Sequence, residues 1–488
     1  MKLTHTVLDE IVRLRKIDID ALKIKEPLDT FQNALLPSDR DFYAALNAKK
    51  AAHQPAFILE CKKASPSKGL IRDDFDVTTI VETYNHYATA ISVLTEHRHF
   101  QGEFHYLELA KAASQQPILC KDFVVDAYQI YKARFHGANA ILLMLSVLDD
   151  AEYEALASVA HSLKMGVLTE VNDEAEVERA LALNAKVIGI NNRDLRDLSI
   201  DLGKTERLAK LMPAEQIIIS ESGILEHGTM KELTQFADGF LIGSALMAET
   251  NLDQAVRKMV NGPHKVCGLT SNQDAQAAYD AGASFGGLIF VPSSPRAVTL
   301  DEAKTIIDGV NLGFIGVFQN ESIDEIVTIA TALNLVGIQL HGDESGAYIE
   351  NLQNALAVAG KPSIKLIKAL SIKEDFAEMM KGEETPFCEL LTLHRDGVID
   401  YLLLDGKKGG SGTPFNWAIL QNAPLKSHLK RSFLAGGLNQ DNLVEALAFN
   451  SYGVDINSGA ERAPGKKDAG MLNTLFQIMT DNLVGVKQ

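Results

Sequence analysis

The sequence lacks any apolar run approaching the ~20 residues needed to span a bilayer. Its opening segment, MKLTHTVLDEIVRLRKIDID, carries charges throughout and has no apolar signal core. A cytoplasmic protein without a membrane partner is therefore expected. Basic charge is also scarce: 47 Lys and Arg against 64 Asp and Glu leave a formal net charge of −17. Nucleic acid favours a basic patch, so it is not expected as a partner either. Phosphate is not excluded, because backbone N–H groups at helix N-termini hold it without net positive charge. Cysteine is rare, and the four present, Cys61, Cys120, Cys267 and Cys388, are widely separated. No pair has metal-ligand spacing, and a disulfide framework is not expected in a reducing compartment. The chain has no Gly-rich dinucleotide fingerprint and no Walker A loop, so no nicotinamide, nucleotide or metal cofactor is expected.

What is present is an alternation. At 488 residues, 46% hydrophobic and 23% charged, the chain suits a globular protein of two domains. After a helical N-terminal segment broken around Pro37, eight short apolar runs alternate with longer amphipathic stretches: 56–63, 88–96, 116–123, 138–146, 166–171, 185–194, 215–223 and 237–246. A second eight follows: 265–270, 285–291, 312–318, 335–342, 363–370, 398–406, 430–438 and 452–459. Near-continuous hydrophobicity is what a parallel strand covered by helices requires. Strand and helix alternating at this spacing mean βαβ units, and eight per set is the closed-barrel number. The expected fold is α/β, two tandem (β/α)8 barrels of the phosphate-binding type with an extra N-terminal helical segment. The expected domains are 1–255 and 256–488, with the seam near 250–263. The polar stretch 380–397 reads as an inserted surface loop.

Both sets end alike. SESG (220–223) and LIGSA (241–245) follow strands seven and eight of the first set; LAGG (434–437) and INSG (456–459) follow those of the second. Loops at these places gather backbone N–H groups around an anion, and glycine lets the backbone come close to it.

Catalysis in a barrel sits at the C-terminal strand ends. In the first set those ends carry Glu60 and Lys62, which share one face, then Lys121, Glu170, Asn191 with Arg193, and Glu221. Any one of them could be a solvated rim charge; the full set converges on one mouth beneath a phosphate clamp. Lys63, of opposite parity, reads as structural. The second set is sparser: Cys267 in the first strand, Arg296 after the second, His341 after the fourth and Asp405 after the sixth. A lone strand cysteine is usually a small core residue, and a lone histidine usually a satisfied structural one.

The motifs ECKKASPSKG (60–69), CKDF (120–123), TEV (169–171), INNRDL (190–195), SESGI (220–224) and IGSALM (242–247) resemble indole-3-glycerol-phosphate synthase across the whole first half. The resemblance implies ring closure, decarboxylation and dehydration of 1-(o-carboxyphenylamino)-1-deoxyribulose 5-phosphate. It makes Lys121 the acid for ring closure, a lysine whose pKa nearby cations would lower. Glu170, Glu60 and Lys62 remain open as acid and base for the dehydration. Lys62 and Arg193 would attract the anthranilate carboxylate, and Asn191 and Glu221 would orient hydroxyls. Ser65, Ser222, Gly223, Gly243 and Ser244 would hold the phosphate. Phe100 and Phe123 could pack on the aromatic ring, or simply fill the core.

The second half, through KVCGLT (265–270), LIFVPSSPR (288–296), VGIQLHG (336–342), LLLDG (402–406), GGSG (409–412), LAGGL (434–438) and DINSGAE (455–461), resembles phosphoribosylanthranilate isomerase. The implied reaction is an Amadori rearrangement of N-(5′-phosphoribosyl)anthranilate. Asp405 would be the acid and Cys267 the base, with burial raising the first pKa and nearby positive charge lowering the second. Arg296 would meet the anthranilate carboxylate and His341 would contact substrate. Gly410, Gly412, Gly437, Ser458 and Gly459 would form the phosphate site. FNW (415–417) stands where FDW is expected, at a helix start, without effect on the chemistry. The partners implied are phosphorylated anthranilate derivatives, and a monomer is expected. Other phosphate-binding barrel isomerases or epimerases are the nearest alternative, but strand one carries Cys267 where the histidine-pathway isomerase has aspartate. A scaffold with an inactive barrel should have lost its strand-end acids and bases.

Overall fold

The computed structural model describes residues 6–372, 385–406 and 416–483. It contains two closed eight-stranded parallel barrels, each with its strands in sequence order around the ring. Contacts divide the chain between Val256 and Arg257, inside the helix Leu252–Val260, with Leu483 returning to the first unit.

The first barrel is built from β1 Ala56–Cys61, β2 Ala90–Leu94, β3 Ile118–Lys121, β4 Ala140–Met144, β5 Gly166–Val171, β6 Val187–Asn191, β7 Ile217–Glu221 and β8 Gly239–Ile242. It closes where Ala56–Leu59 pair in parallel with Gly239–Ile242. Every expected apolar run of the first set forms one of these strands, buried on both faces by the ring interior and the outer helices. Two helices precede β1. α1 (Val7–Lys25) opens on a capping box between Thr6 and Asp9, and α2 (Phe42–Ala51) on an Asp41 cap. Pro37 lies between them, after two single 3₁₀ turns. α2 packs at the N-terminal end of the barrel: a Cβ on Gly166, the first residue of β5, would lie 2.8 Å from the Phe42 ring. α1 is pinned by a buried ion pair between Arg15 and Asp122, next to Lys121 at the end of β3.

The second barrel comprises β9 Lys265–Cys267, β10 Phe285–Ile289, β11 Gly313–Phe318, β12 Gly337–Leu340, β13 Lys365–Ser371, β14 Tyr401–Asp405, β15 Ser432–Leu434 and β16 Gly453–Ile456. It closes between β9 and β16, with Lys265 opposite Asp455 and Val266 opposite Ile456. One expectation fails here. Within 380–397, read as a loop, Pro386–Arg395 is a helix with Pro386 in its first turn and Thr385 as N-cap. The many polar residues hid a face of Phe387, Leu391 and His394 that is buried. Residues 380–384 lie outside the described residues.

Among the described residues no helix is long and apolar enough to cross a membrane.

Candidate active sites

The inner face of the first barrel changes character along its strands. Ile58, Leu119, Leu168, Ile217 and Ile219 fill the interior. Two residues further on, at the same parity, stand Glu60, Lys121, Glu170 and Glu221. One alternation thus supplies both the packed floor and the ionisable mouth. The mouth opens as a cavity of about 220 Å³ lined by Glu60, Lys62, Lys121, Glu170, Asn191, Arg193 and Glu221, with Phe100 and Phe123 on its wall.

Lys121 stands at its centre. Its ammonium lies 2.9 Å from Glu221 Oε2 and 3.4 Å from Glu170 Oε2. The Asn191 amide donates to Glu170 Oε1 over 3.1 Å, and Lys62 pairs with Glu60. The expectation of a lysine among cations is therefore wrong. Burial alone would lower the Lys121 pKa, but Glu221, Glu170 and Glu60 outweigh it and push the group above the ordinary lysine range. Burial raises the Glu221 carboxyl above its ordinary value against the pull of Lys121. Arg193 is less free than expected: its amide donates to Asn191 Oδ1 and its guanidinium to the Leu198 carbonyl, 2.8 Å away.

Ser65, Ser222, Gly223, Gly243 and Ser244, the residues expected to hold phosphate, all line the same cavity. Ser222 and Gly223 take φ of +67° and +78°, the left-handed turn that glycine accommodates at no cost. The Ser65 hydroxyl is buried without a hydrogen-bond partner among the described residues, as a group awaiting an acceptor would be. Two residues escaped the sequence reading. Glu96 accepts from the amides of Arg98, His99 and Phe100, fixing the loop that carries Phe100 to the wall. Gly189 makes room for Glu221, since a Cβ there would lie 2.1 Å from its Oε1. Gly189→Ala is expected to displace Glu221 from Lys121 and reduce turnover in this barrel at least about tenfold. Steady-state kinetics beside the far-UV spectrum will separate that effect from unfolding.

In the second barrel Cys267, Arg296, His341, Asp405, Gly437 and Ser458 line one cavity at the C-terminal strand ends. Burial raises the Asp405 carboxyl to about 6, as expected of an acid that must hold its proton. The thiol departs from expectation. Burial raises the Cys267 pKa, and the positive charge of Lys265 offsets this only in part. Burial and the ammonium groups of Lys265 and Lys368 push His341 down to about 4, so it meets a ligand as neutral imidazole. Arg296 already holds a carboxylate, with Nη2 at 2.7 Å and Nε at 2.9 Å from the two Glu461 oxygens. A substrate carboxylate must share or displace it.

Gly436 and Gly437 take φ of +95° and +67°. Gly459 is not among the residues lining the cavity, and a Cβ there would lie 1.9 Å from the Leu438 carbonyl, so that only glycine fits beside this backbone. Gly410 and Gly412 lie outside the described residues. Asn416 caps the turn Trp417–Gln421, accepting from the Ala418 amide as an aspartate would. Beneath Cys267 lies a buried polar group missed entirely in the sequence: Lys265, Gln339 and Asp455.

Two family models divide the chain as the barrels do: indole-3-glycerol phosphate synthase matches residues 8–259, and N-(5′-phosphoribosyl)anthranilate (PRA) isomerase matches residues 264–478. Tryptophan biosynthesis protein TrpCF of Salmonella typhi is 50% identical over 475 residues, covering 97% of this chain and 99% of its own. The chain belongs to this fused family. The TrpCF proteins of Yersinia pestis and Vibrio cholerae are also 50% identical, covering 98% and 96% of this chain and 94% and 95% of their own. The protein is thus a bifunctional enzyme of tryptophan biosynthesis, with a decarboxylating synthase barrel followed by an isomerase barrel.

Proposed function

We propose that Lys121 is the acid of indole ring closure and that Asp405 and Cys267 are the acid and base of the isomerisation. The observation that carries the first role is Lys121 held between Glu221 and Glu170 in the cavity that the phosphate loops also line. As the aromatic carbon bearing the carboxylate attacks C2 of the ribulose, Lys121 gives its proton to the C2 oxygen. Carbon dioxide then leaves and the ring regains its aromaticity. In the dehydration Glu170, already an acceptor for Asn191 and Lys121, takes the carbon-bound proton. Lys62, paired with Glu60, protonates the departing hydroxyl. Phe100 and Phe123, with ring centroids 6.1 Å apart, wall the aromatic part of the substrate.

In the isomerase barrel Asp405 protonates the ribose ring oxygen as the C1–O bond breaks. The Cys267 thiolate then takes the C2 proton, and the electron pair moves toward the iminium nitrogen to give the enolamine. Tautomerisation yields the ketose. Arg296 meets the anthranilate carboxylate in exchange with Glu461, and His341 accepts a substrate hydrogen bond. Ser65, Ser222, Gly223, Gly243 and Ser244 hold phosphate in one barrel, and Gly437 and Ser458 in the other. All four cysteines are thiols, which fits a cytoplasmic enzyme; a monomer should sediment at one chain's mass.

The test follows freshly made phosphoribosylanthranilate with purified enzyme in EDTA. Loss of anthranilate-type fluorescence with matching growth of indole absorbance is expected, at the rate seen without EDTA. A requirement for added divalent ion would overturn catalysis by these side chains alone.

Asp405 also makes a stability prediction. Its folded pKa of about 6 lies above the ordinary 3.8, so the folded state binds more protons between those values and loses stability as pH rises through them. Asp405→Asn should abolish isomerisation yet raise the stability of its barrel by roughly 1–3 kcal/mol at pH 7, and not at pH 4. Denaturant melts at both pH values check this.

A further inference from the structure

The floor of the isomerase barrel is apolar: Phe285, Ile315, Ile367, Leu403 and Phe433 form it. Among such side chains Lys265 is fully buried. Its ammonium lies 2.7 Å from Asp455 Oδ2, its register neighbour on β16, and 2.9 Å from Gln339 Oε1 on β12. Gln339 in turn contacts His341 Nδ1 at 3.1 Å. Burying an ammonium and a carboxylate costs several kcal/mol per ion, and well-packed apolar residues in their place are often neutral or stabilising. Stability alone therefore gives this barrel little reason to keep the pair.

Geometry shows what the pair faces. Lys265 and Cys267 have the same parity on β9. A Cβ built on Gly287 of the adjoining β10 would lie 2.7 Å from Cys267 Sγ and 3.0 Å from Lys265 Cε, so both side chains flank one point in the ring. Asp455 and Gln339 take two of the three ammonium donors, and the thiol is within reach of the third. Other charges facing Cys267 include Asp455, which opposes ionisation, and Lys467 and Arg296, which favour it and are both tied to Glu461; Asp405 and the imidazole of His341 line the same cavity. Lys265 is the cation on the sulfur's own strand, buried inside the barrel, where the interaction is little screened.

We infer that Lys265 is a positioning residue for the isomerase step: held by Asp455 and Gln339, its ammonium stabilises the Cys267 thiolate that takes the substrate's C2 proton. Asp455, on the same ammonium, opposes the thiolate by its own charge and so limits how far Lys265 favours it, while Gln339 on β12 holds the ammonium in place independently of that charge. The inference rests on Cys267 being the base, and its test keeps the two ideas apart.

The readout is the rate of Cys267 alkylation by iodoacetamide as a function of pH, in the full-length enzyme, with the peptide identified by mass spectrometry. Lys265→Met should slow the reaction about tenfold near neutral pH, the equivalent of one pKa unit, and move its midpoint up. Asp455→Asn, which keeps the shape and removes the opposing charge, should speed it and move the midpoint down. Opposite shifts are not what general loosening of the barrel produces, since that would expose the thiol in both variants. An unchanged or faster rate in Lys265→Met overturns the inference. Should that variant not fold, an unchanged or slower rate in Asp455→Asn overturns it. Isomerisation retained in Cys267→Ala would overturn the base assignment instead, whatever the alkylation rates.

Discussion

Lys121→Ala is expected to stop indole formation while leaving the isomerase running, so that phosphoribosylanthranilate is consumed and the ketose intermediate accumulates. The expected fall in synthase turnover is about 10²–10⁴-fold, the usual contribution of one general acid. Removing this cation also leaves Glu170 and Glu221 facing each other without their shared counter-charge. Part of the loss could then be electrostatic damage instead of a missing proton. Lys121→Arg separates the two. A guanidinium keeps the positive charge between the carboxylates but does not give up a proton at any working pH. The arginine variant is expected to remain as inactive as the alanine one. Recovery of most of the turnover would reduce Lys121 to a fixed charge and overturn its role as the acid. The raised pKa of Lys121 is compatible with that role, because the lysine carries its proton at neutral pH and the transition state presents it with a developing alkoxide.

Cys267→Ala should have the opposite phenotype. Isomerisation falls by about 10²–10⁴-fold, while the synthase, given its own substrate, is unaffected. Cys267→Ser is expected to be nearly as poor, because a hydroxyl ionises far less readily than a thiol in the same buried place. Burial already raises the Cys267 thiol, so the ionised fraction at neutral pH is small and the rate depends on whatever favours it. A mixture of Cys267→Ala and Lys121→Ala should form indole from phosphoribosylanthranilate when neither protein does so alone. Each supplies the barrel the other lacks, with the intermediate passing through solvent. Failure of the mixture, with each single defect confirmed, would mean that the intermediate is not released.

Much of this was legible in the sequence. All sixteen barrel strands appeared as apolar runs, because a parallel strand buried on both faces must be hydrophobic almost throughout. The ionisable residues of the synthase mouth were legible for the same reason in reverse, since Glu60, Lys121, Glu170 and Glu221 interrupt such strands only at their ends. The helix Pro386–Arg395 was not, because it is short and charged and polar residues crowd its flanks, from Lys381 to Thr385 before it and Asp396 after it. Lys265 and Asp455 were missed because each is one charge in a strand, and nothing local shows that residues 190 apart in sequence are neighbours across a closed ring.

The sequence by itself determined the two barrels, the residue types available at their mouths and the glycine-containing loops beside them, because periodicity and glycine placement are local properties. Only the tertiary structure decided which charges meet. Ring closure put three carboxylates around Lys121, where cations had been expected, and one ammonium beside Cys267. A pKa depends on burial and on charges within a few ångströms, and those neighbours come from strands far apart in the chain.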